Sequence, residues 1–289
     1  MPTPLPLPKS TKRLLKQLLK SASEHERKRI LNLLAATIAT ASAETVRRSR
    51  PRPNFFPHAP AAKQKVFLAL DCREAFYGGA AGGGKSETLL MAALQYVHVP
   101  GYAALILRKD TQRLQLSGGP RSGHWLADSA AVWNEAKLTW RFPTSGAPAT
   151  LSFGYLQTST DKFRYGSSEY QYIAFDELTE FSEEDYRFLF SRLRSSKSIA
   201  VPLRMRAASN PGGTGHGWVK ARFIPDDVRR ALLPVESGRA RVPDLHNSVH
   251  WHEGRAFVPA KIADNPGLDV DGEEDLKIMK PGSVIIDVA

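Results

Sequence analysis

The chain has 289 residues, of which 42% are hydrophobic, enough for one large core or two small ones. Its 40 lysines and arginines outnumber 29 aspartates and glutamates, and the formal net charge of +11 favours an anionic partner such as nucleic acid. The single cysteine, Cys72, excludes an intrachain disulfide framework and a multi-cysteine zinc site.

The basic character is concentrated at the start. Residues 1–50 hold eleven basic side chains against three acids, Glu24, Glu26 and Glu44, a net of +8. Leu14, Leu15, Leu18 and Leu19 recur at helical spacing among lysines, and Ser23 with Glu26 forms an S-x-x-E capping box for a second helix running towards Ile38. Such an arm reads either as a clamp on phosphates or on a partner protein, or as a solvated basic face whose leucines pack on the body. The Pro-rich opening is unlike a secretory signal, and the apolar stretch from Ile30 to Ala41 is broken by Asn32, Thr37 and Thr40 and falls short of the roughly 20 residues that span a bilayer. A cytoplasmic protein of the host cell, without membrane contact, is expected. Pro51, Pro53, Pro57 and Pro60 mark a linker. The chain thus divides into a basic arm with its linker at 1–52, a body at 53–262 and a short acidic tail at 263–289.

In the body, a short strand from Glu74 to Tyr77 meets a glycine loop and then a helix from Lys85 to Val97, stopped by Pro100 and Gly101. Next come the apolar run Ala103 to Leu107, a hairpin-like pair at Leu138 to Phe142 and Thr150 to Tyr155, and a strand from Gln171 to Phe175. A helix over Glu183 to Leu193 and a last strand from Leu203 to Ala208 complete the pattern. Strands interleaved with helices, and apolar runs too continuous to be half exposed, predict an α/β fold with a mainly parallel sheet covered by helices on both faces.

Gly79-Ala80-Ala81-Gly82-Gly83-Gly84-Lys85-Ser86 fits the P-loop pattern G-x-x-x-x-G-K-[ST], after a strand and opening a helix, as a phosphate cradle requires. Backbone N–H groups of the loop, continuing to Glu87, would face the phosphates of ATP, Lys85 would reach the outer ones, and Ser86 would complete a Mg²⁺ shell. A flexible surface loop is the plain alternative. Tyr172-Ile173-Ala174-Phe175 runs into Asp176 and Glu177, a second metal ligand and a water-activating base if the loop binds nucleotide, a solvated turn if it does not. An acid after the metal ligand favours hydrolysis over transfer to a bound acceptor, and no N-K-x-D guanine-reading motif occurs. His246, His250 and His252 invite a metal site, but with no fourth ligand and with Trp251 and Arg255 alongside, a strand face open to solvent or nucleic acid is the better reading.

These blocks resemble the large terminase subunit of tailed bacteriophages, the ATP-driven motor that packages DNA. Ala62-Lys63-Gln64 with Val66-Phe67-Leu68 is similar to its adenine-side segment. The P-loop, the strand ending in Arg108, and Tyr165-Gly166-Ser167 running into Phe175-Asp176-Glu177 follow its order, and Ser209-Asn210-Pro211-Gly212-Gly213 before Gly215-His216-Gly217-Trp218 resembles its coupling motif and the segment after it. The resemblance covers roughly residues 60–266. It implies a P-loop NTPase of the additional-strand, catalytic-glutamate type, with Gln64 at the base, Asn210 sensing the γ-phosphate, and an arginine finger for which Arg108, Arg192 and Arg194 are candidates. Double-stranded DNA, a small terminase subunit and a portal would be its partners, and a homo-oligomeric ring its working form.

The family continues into a nuclease domain, whereas here about 23 residues follow Pro266, including the acidic cluster Asp269, Asp271, Glu273, Glu274 and Asp275. Nuclease activity is therefore not expected. A truncated remnant that binds nucleotide or DNA without turnover, and a helicase-like ATPase, are the rival expectations.

Overall fold

The computed structural model describes residues 55–80, 82–110, 122–195, 201–224 and 249–260, together with positions 26, 199 and 264. The helices expected of the arm (Glu26 apart), the acidic tail after position 264, Ala81 and His246 lie outside these residues.

Helix α1 (Ala62–Ala69) leads into β1 (Glu74–Gly79), the glycine loop and α2 (Lys85–Leu94). The chain continues through β2 (Ala103–Arg108), β3 (Val132–Asn134), β4 (Thr139–Phe142) and β5 (Ala149–Tyr155). A 3₁₀ turn at Asp161–Tyr165 precedes β6 (Tyr172–Asp176), and a second at Leu178–Glu180 precedes α3 (Glu183–Phe190). Then follow β7 (Arg204–Ser209), α4 (His216–Phe223), β8 (His250–His252) and β9 (Arg255–Ala260).

The nine strands form one sheet in the order β3-β4-β5-β2-β6-β7-β1-β9-β8. From β5 to β9 every pairing is parallel, and antiparallel pairs flank this centre at both ends. Every residue of β1, β6 and β7 is buried, as expected of parallel strands covered on both faces. One core layer gathers Leu105, Leu107, Ile173, Phe175, Met205 and Ala207 of the sheet with Tyr186 and Leu189 of α3 and Val219 and Phe223 of α4. Among the described residues no helix is long and apolar enough to cross a membrane.

The expectation that Leu203 to Ala208 ends the sheet is corrected: β8 and β9 follow, and β9 lies directly against β1. Pro259 within β9 disguises this strand, since proline is poor in a sheet interior. Among the described residues the β8 register ends at His250↔Phe257, two positions before Pro259. The helix expected through Leu193 stops at Phe190, because the chain leaves it to pair with Tyr170: Tyr170 N–H donates to Arg192 O and Arg194 N–H to Tyr170 O.

Strand β7 carries two arginines inward. Arg206 is only 1% exposed, yet its guanidinium donates to the carbonyls of Leu70 (2.8 Å), Cys72 (3.1 Å) and Met205 (3.0 Å) and lies over the Phe67 ring. Burial pulls its pKa down to about 10. Arg204 donates to Gln95 Oε1 (2.9 Å) and pairs with Asp71. Both arginines thus tie the α1–β1 connection to the strand that lines the site. We expect Arg206→Ala, which orphans those carbonyls, to lower the unfolding free energy by about 3 kcal/mol; a urea midpoint close to wild type would show that the carbonyls find other donors.

Candidate active site

The site is built at the carboxyl ends of β1, β6 and β7, adjacent parallel strands in the order β6-β7-β1. β1 delivers the glycine loop. At its end Gly79 has φ +134° and stands so close to Ala260 O of β9 that a Cβ there would clash with that carbonyl. The next N–H, of Ala80, donates to the same Ala260 O at 3.0 Å, so β9 fixes where the loop departs. At the other end Gly84 is the left-handed N-cap of α2, and Gly84 O accepts from Thr88 N–H and Thr88 Oγ1. The helix therefore begins at Lys85 with its free N–H groups at the loop, the arrangement that attracts anions.

Lys85 is buried and folds back on its own loop, donating to Gly79 O at 3.2 Å and to Ala80 O. Burial lowers its pKa to about 8 against the pull of Glu177 and Asp176. Ser86 Oγ donates to Asp176 Oδ1 at 2.8 Å, bringing together two hard oxygen donors from β6 and α2. Arg108, at the end of β2, donates from Nε to Asp176 Oδ2 at 2.8 Å and forms an ion pair with it.

Glu177 follows β6 in the left-handed region, φ 61° and ψ 56°, a costly conformation for a residue with a side chain. Its carboxylate is held by β7: Ser209 Oγ (3.1 Å) and Asn210 N–H (3.2 Å) donate to Oε2, and Asn210 Nδ2 (3.3 Å) donates to Oε1. Burial, and then the charge of Asp176, raise its pKa from the ordinary glutamate value. Asn210 Oδ1 is buried, with no hydrogen-bond partner among the described residues.

The sequence-derived residues are thus largely assembled. Gly79, Ala80, Gly82, Gly83, Gly84, Lys85 and Ser86 form the loop, with Asp176, Glu177, Asn210 and Arg108 grouped at the neighbouring strand ends. Two of the expected residues also have partners within the chain. Gln64 is buried, and its carboxamide is engaged within the chain: Oε1 accepts from Ala61 N–H, and Nε2 donates to Gly84 O and Glu87 Oε2. In this structure it braces the loop. Glu87 completes that brace by bonding His58 Nε2 at 3.0 Å. Arg108 is engaged with Asp176 of its own chain, while the other finger candidates lie after α3, Arg192 on Gly166 O and Arg194 on Glu169. The described histidines form no metal cluster; His250 and His252 lie in β8, with Trp251 between them 53% exposed. Ser209 enters the sequence reading only as part of the coupling motif, with no role of its own, and Thr179 does not enter it, because a single hydroxyl carries no signal of its own.

No family model matches the chain, and no curated protein matches its sequence. Solved structures do match its fold. The large terminase of a thermophilic bacteriophage superposes at a TM-score of 0.54 with 12% identity, over 73% of this chain and 48% of that one. The same terminase in complex with ATP-γ-S matches at 0.51 with 12% identity, over 76% and 48% of the two chains, and its complex with ADP at 0.50 with 14% identity, over 73% and 47%. The fold over the matched residues is thus that of a large terminase, and the chain spans about half the length of these structures.

The Lys85 shift has a signed consequence. A lysine whose folded-state pKa lies near 8, below its ordinary 10.5, makes folding more favourable as pH rises between those values, because the unfolded chain then binds the extra proton. Lys85→Met removes the cost of a buried charge, and we expect it to stabilise the protein at pH 7 by roughly 1–3 kcal/mol, with the advantage shrinking at pH 9.5. Urea unfolding at both pH values measures this; a pH-independent gap would mean that Lys85 has an ordinary pKa.

Proposed function

We propose that the chain is the ATP-hydrolysing motor part of a phage terminase large subunit, with residues 53–262 as a P-loop ATPase domain of the additional-strand, catalytic-glutamate type. The observation that carries this reading is the convergence, on three adjacent strand ends, of the Lys85 loop with Asp176, Glu177 and Asn210. A strand, β7, stands between the loop strand and the carboxylate strand, as the additional-strand type requires. The large-terminase fold supports the same reading, and a solved terminase of that fold holds ATP-γ-S.

In this reading the loop N–H groups and Lys85 bind the phosphates of ATP, which draw Lys85 off the carbonyls of Gly79 and Ala80. The oxygen pair of Ser86 and Asp176 suits Mg²⁺, a hard cation that prefers hydroxyl and carboxylate ligands, and the unpartnered Asn210 Oδ1 suits a water nearby. Bound Mg²⁺ would neutralise charge on the outer phosphate oxygens. Glu177 takes the proton of the attacking water, and its raised pKa brings it nearer the working pH of a general base. Asn210, bonded to Glu177 through its amide, is placed to register the γ-phosphate. Arg108 supplies positive charge beside Asp176 within the same chain. Hydrolysis would drive packaging of double-stranded DNA in a ring of copies on a portal, with a small terminase subunit as partner, and the basic arm at 1–52 and acidic tail at 263–289 as flanking segments. The site would work in the host cytoplasm.

We expect Lys85→Ala to abolish tight ATP binding, and Glu177→Gln to retain it while losing turnover by about 10² or more, since one change removes phosphate-directed charge and the other only the base. Nucleotide titration and steady-state hydrolysis, with and without double-stranded DNA, measure both. Wild-type protein that binds ATP without turning it over under any of these conditions would favour a non-motor remnant.

A further inference from the structure

Behind Glu177 lies a second layer of hydroxyls. Ser209, at the end of β7, is 1% exposed, and Thr179, in the 3₁₀ turn after Glu177, is 5% exposed. Their oxygens are 2.7 Å apart, and Thr179 N–H also faces Ser209 Oγ at 3.4 Å. A hydroxyl has one proton to give. Because Ser209 directs its proton to Glu177 Oε2, the short bond between the two hydroxyls runs from Thr179 to Ser209, with Asn210 O, 3.5 Å from Thr179 Oγ1, as the longer of the two acceptors within reach of that proton. This order polarises the Ser209 hydroxyl and strengthens its bond to the carboxylate.

Thr179 also meets the loop that follows Asn210. Its carbonyl accepts from Gly215 N–H at 2.7 Å, the residue that caps α4. Gly213 comes so close, at φ +89°, that a Cβ there would stand 2.7 Å from Thr179 O and 3.0 Å from its Oγ1. Trp218 in the first turns of α4 donates its indole N–H to Phe181 O, just beyond the same 3₁₀ turn. Thr179 is thus clamped between the turn that carries Glu177 and the segment that carries α4.

We propose that Thr179 and Ser209 form a two-hydroxyl relay that positions the Glu177 carboxylate, and that the seat of the Gly213–Gly215 loop on Thr179 sets the orientation of this relay. Both are positioning residues. The relay would compensate for the unfavourable backbone of Glu177, fixing the carboxylate through β7 while its own turn is held in the left-handed region. The role in turnover rests on Glu177 being the base, as read above; the positioning itself does not.

The two are separated by measuring Glu177 directly. In ligand-free protein labelled with ¹³C at glutamate carboxyl carbons, Glu177 is assigned by the signal that Glu177→Gln removes. At one fixed alkaline pH, Ser209→Ala, which removes a donor to the carboxylate, should displace the Glu177 signal. Thr179→Val, which keeps the β-branched shape, should displace it in the same direction by less, and Thr179→Ser should restore it. In turnover, Ser209→Ala should lower kcat by about 10-fold or more with KM within about twofold. A Glu177 signal left in place by Ser209→Ala, in protein that unfolds at the wild-type urea concentration, would overturn the relay. A displaced signal alongside Glu177→Gln protein of undiminished turnover would keep the relay and sink the assignment of Glu177 as base.

Discussion

The constraint on which this structure turns is charge balance in a buried place. Asp176 at the end of a fully buried strand and Glu177 immediately after it are consecutive carboxylates, and buried carboxylate charge needs compensation. Two cations supply it: Arg108 pairs directly with Asp176, and Lys85 acts on both carboxylates from the loop. Backbone and side-chain donors of Ser209 and Asn210 complete the shell around Glu177. A polyanion entering this loop would draw Lys85 towards itself and leave the carboxylates short of positive charge. That deficit is what a divalent cation on Ser86 and Asp176 would make good, so in the proposed reading the nucleotide and its metal are required together.

The sheet order converts that balance into geometry. Placing β7 between β1 and β6 brings Ser209 and Asn210 into reach of Glu177 while β1 delivers the loop on the far side. The arrangement is held from below as well as at the strand ends. Arg204 and Arg206 on β7 grip the carbonyls and side chains of the α1–β1 connection, and Glu74 at the start of β1 forms an ion pair with Arg222 of α4 and lies 3.6 Å from Arg255 of β9. These links lie at the opposite end of the strands from the carboxylates, so the site can change state while the register of the sheet is retained.

Much of this was legible in the sequence because the relevant signals are local. The P-loop needs glycines in a fixed spacing, and the strand Tyr172 to Phe175 announces itself by unbroken apolar character before two acids. What was not legible depends on contacts across the fold. β9 hides because Pro259 interrupts what would otherwise read as a strand, and its pairing with β1 is visible only in the fold. The arginines of β7 would mark an exposed strand were it not for carbonyls left free by a connection over 130 residues earlier in the chain. Gln64 has the residue type of a base reader, and only its three partners, Ala61, Gly84 and Glu87, show that in this structure it braces the loop. Thr179 and Ser209 are common residues whose meaning comes from the hydrogen bonds that join Thr179 to Ser209 and Ser209 to Glu177.

The two sides of the site are anchored differently, and this has a mechanical implication. The glycine loop is tied to rigid elements: Gly79 and Ala80 to β9, and Gly84 to α1 through Gln64. The carboxylate side is tied to strands through Ser209 and Arg108 and, in addition, to a loop, since Asn210 leads into Pro211, Gly212 and Gly213. Coupling between the two sides is reciprocal: a ligand on the glycine loop that alters the carboxylate side is itself bound more or less tightly as that side changes. Any such movement passes through Asn210 to Gly213 and Gly215, which bear on Thr179 and lead into α4. The first helix beyond the site is thus joined to the residue that orients Glu177, a short path by which the state of the carboxylate and the position of α4 constrain one another.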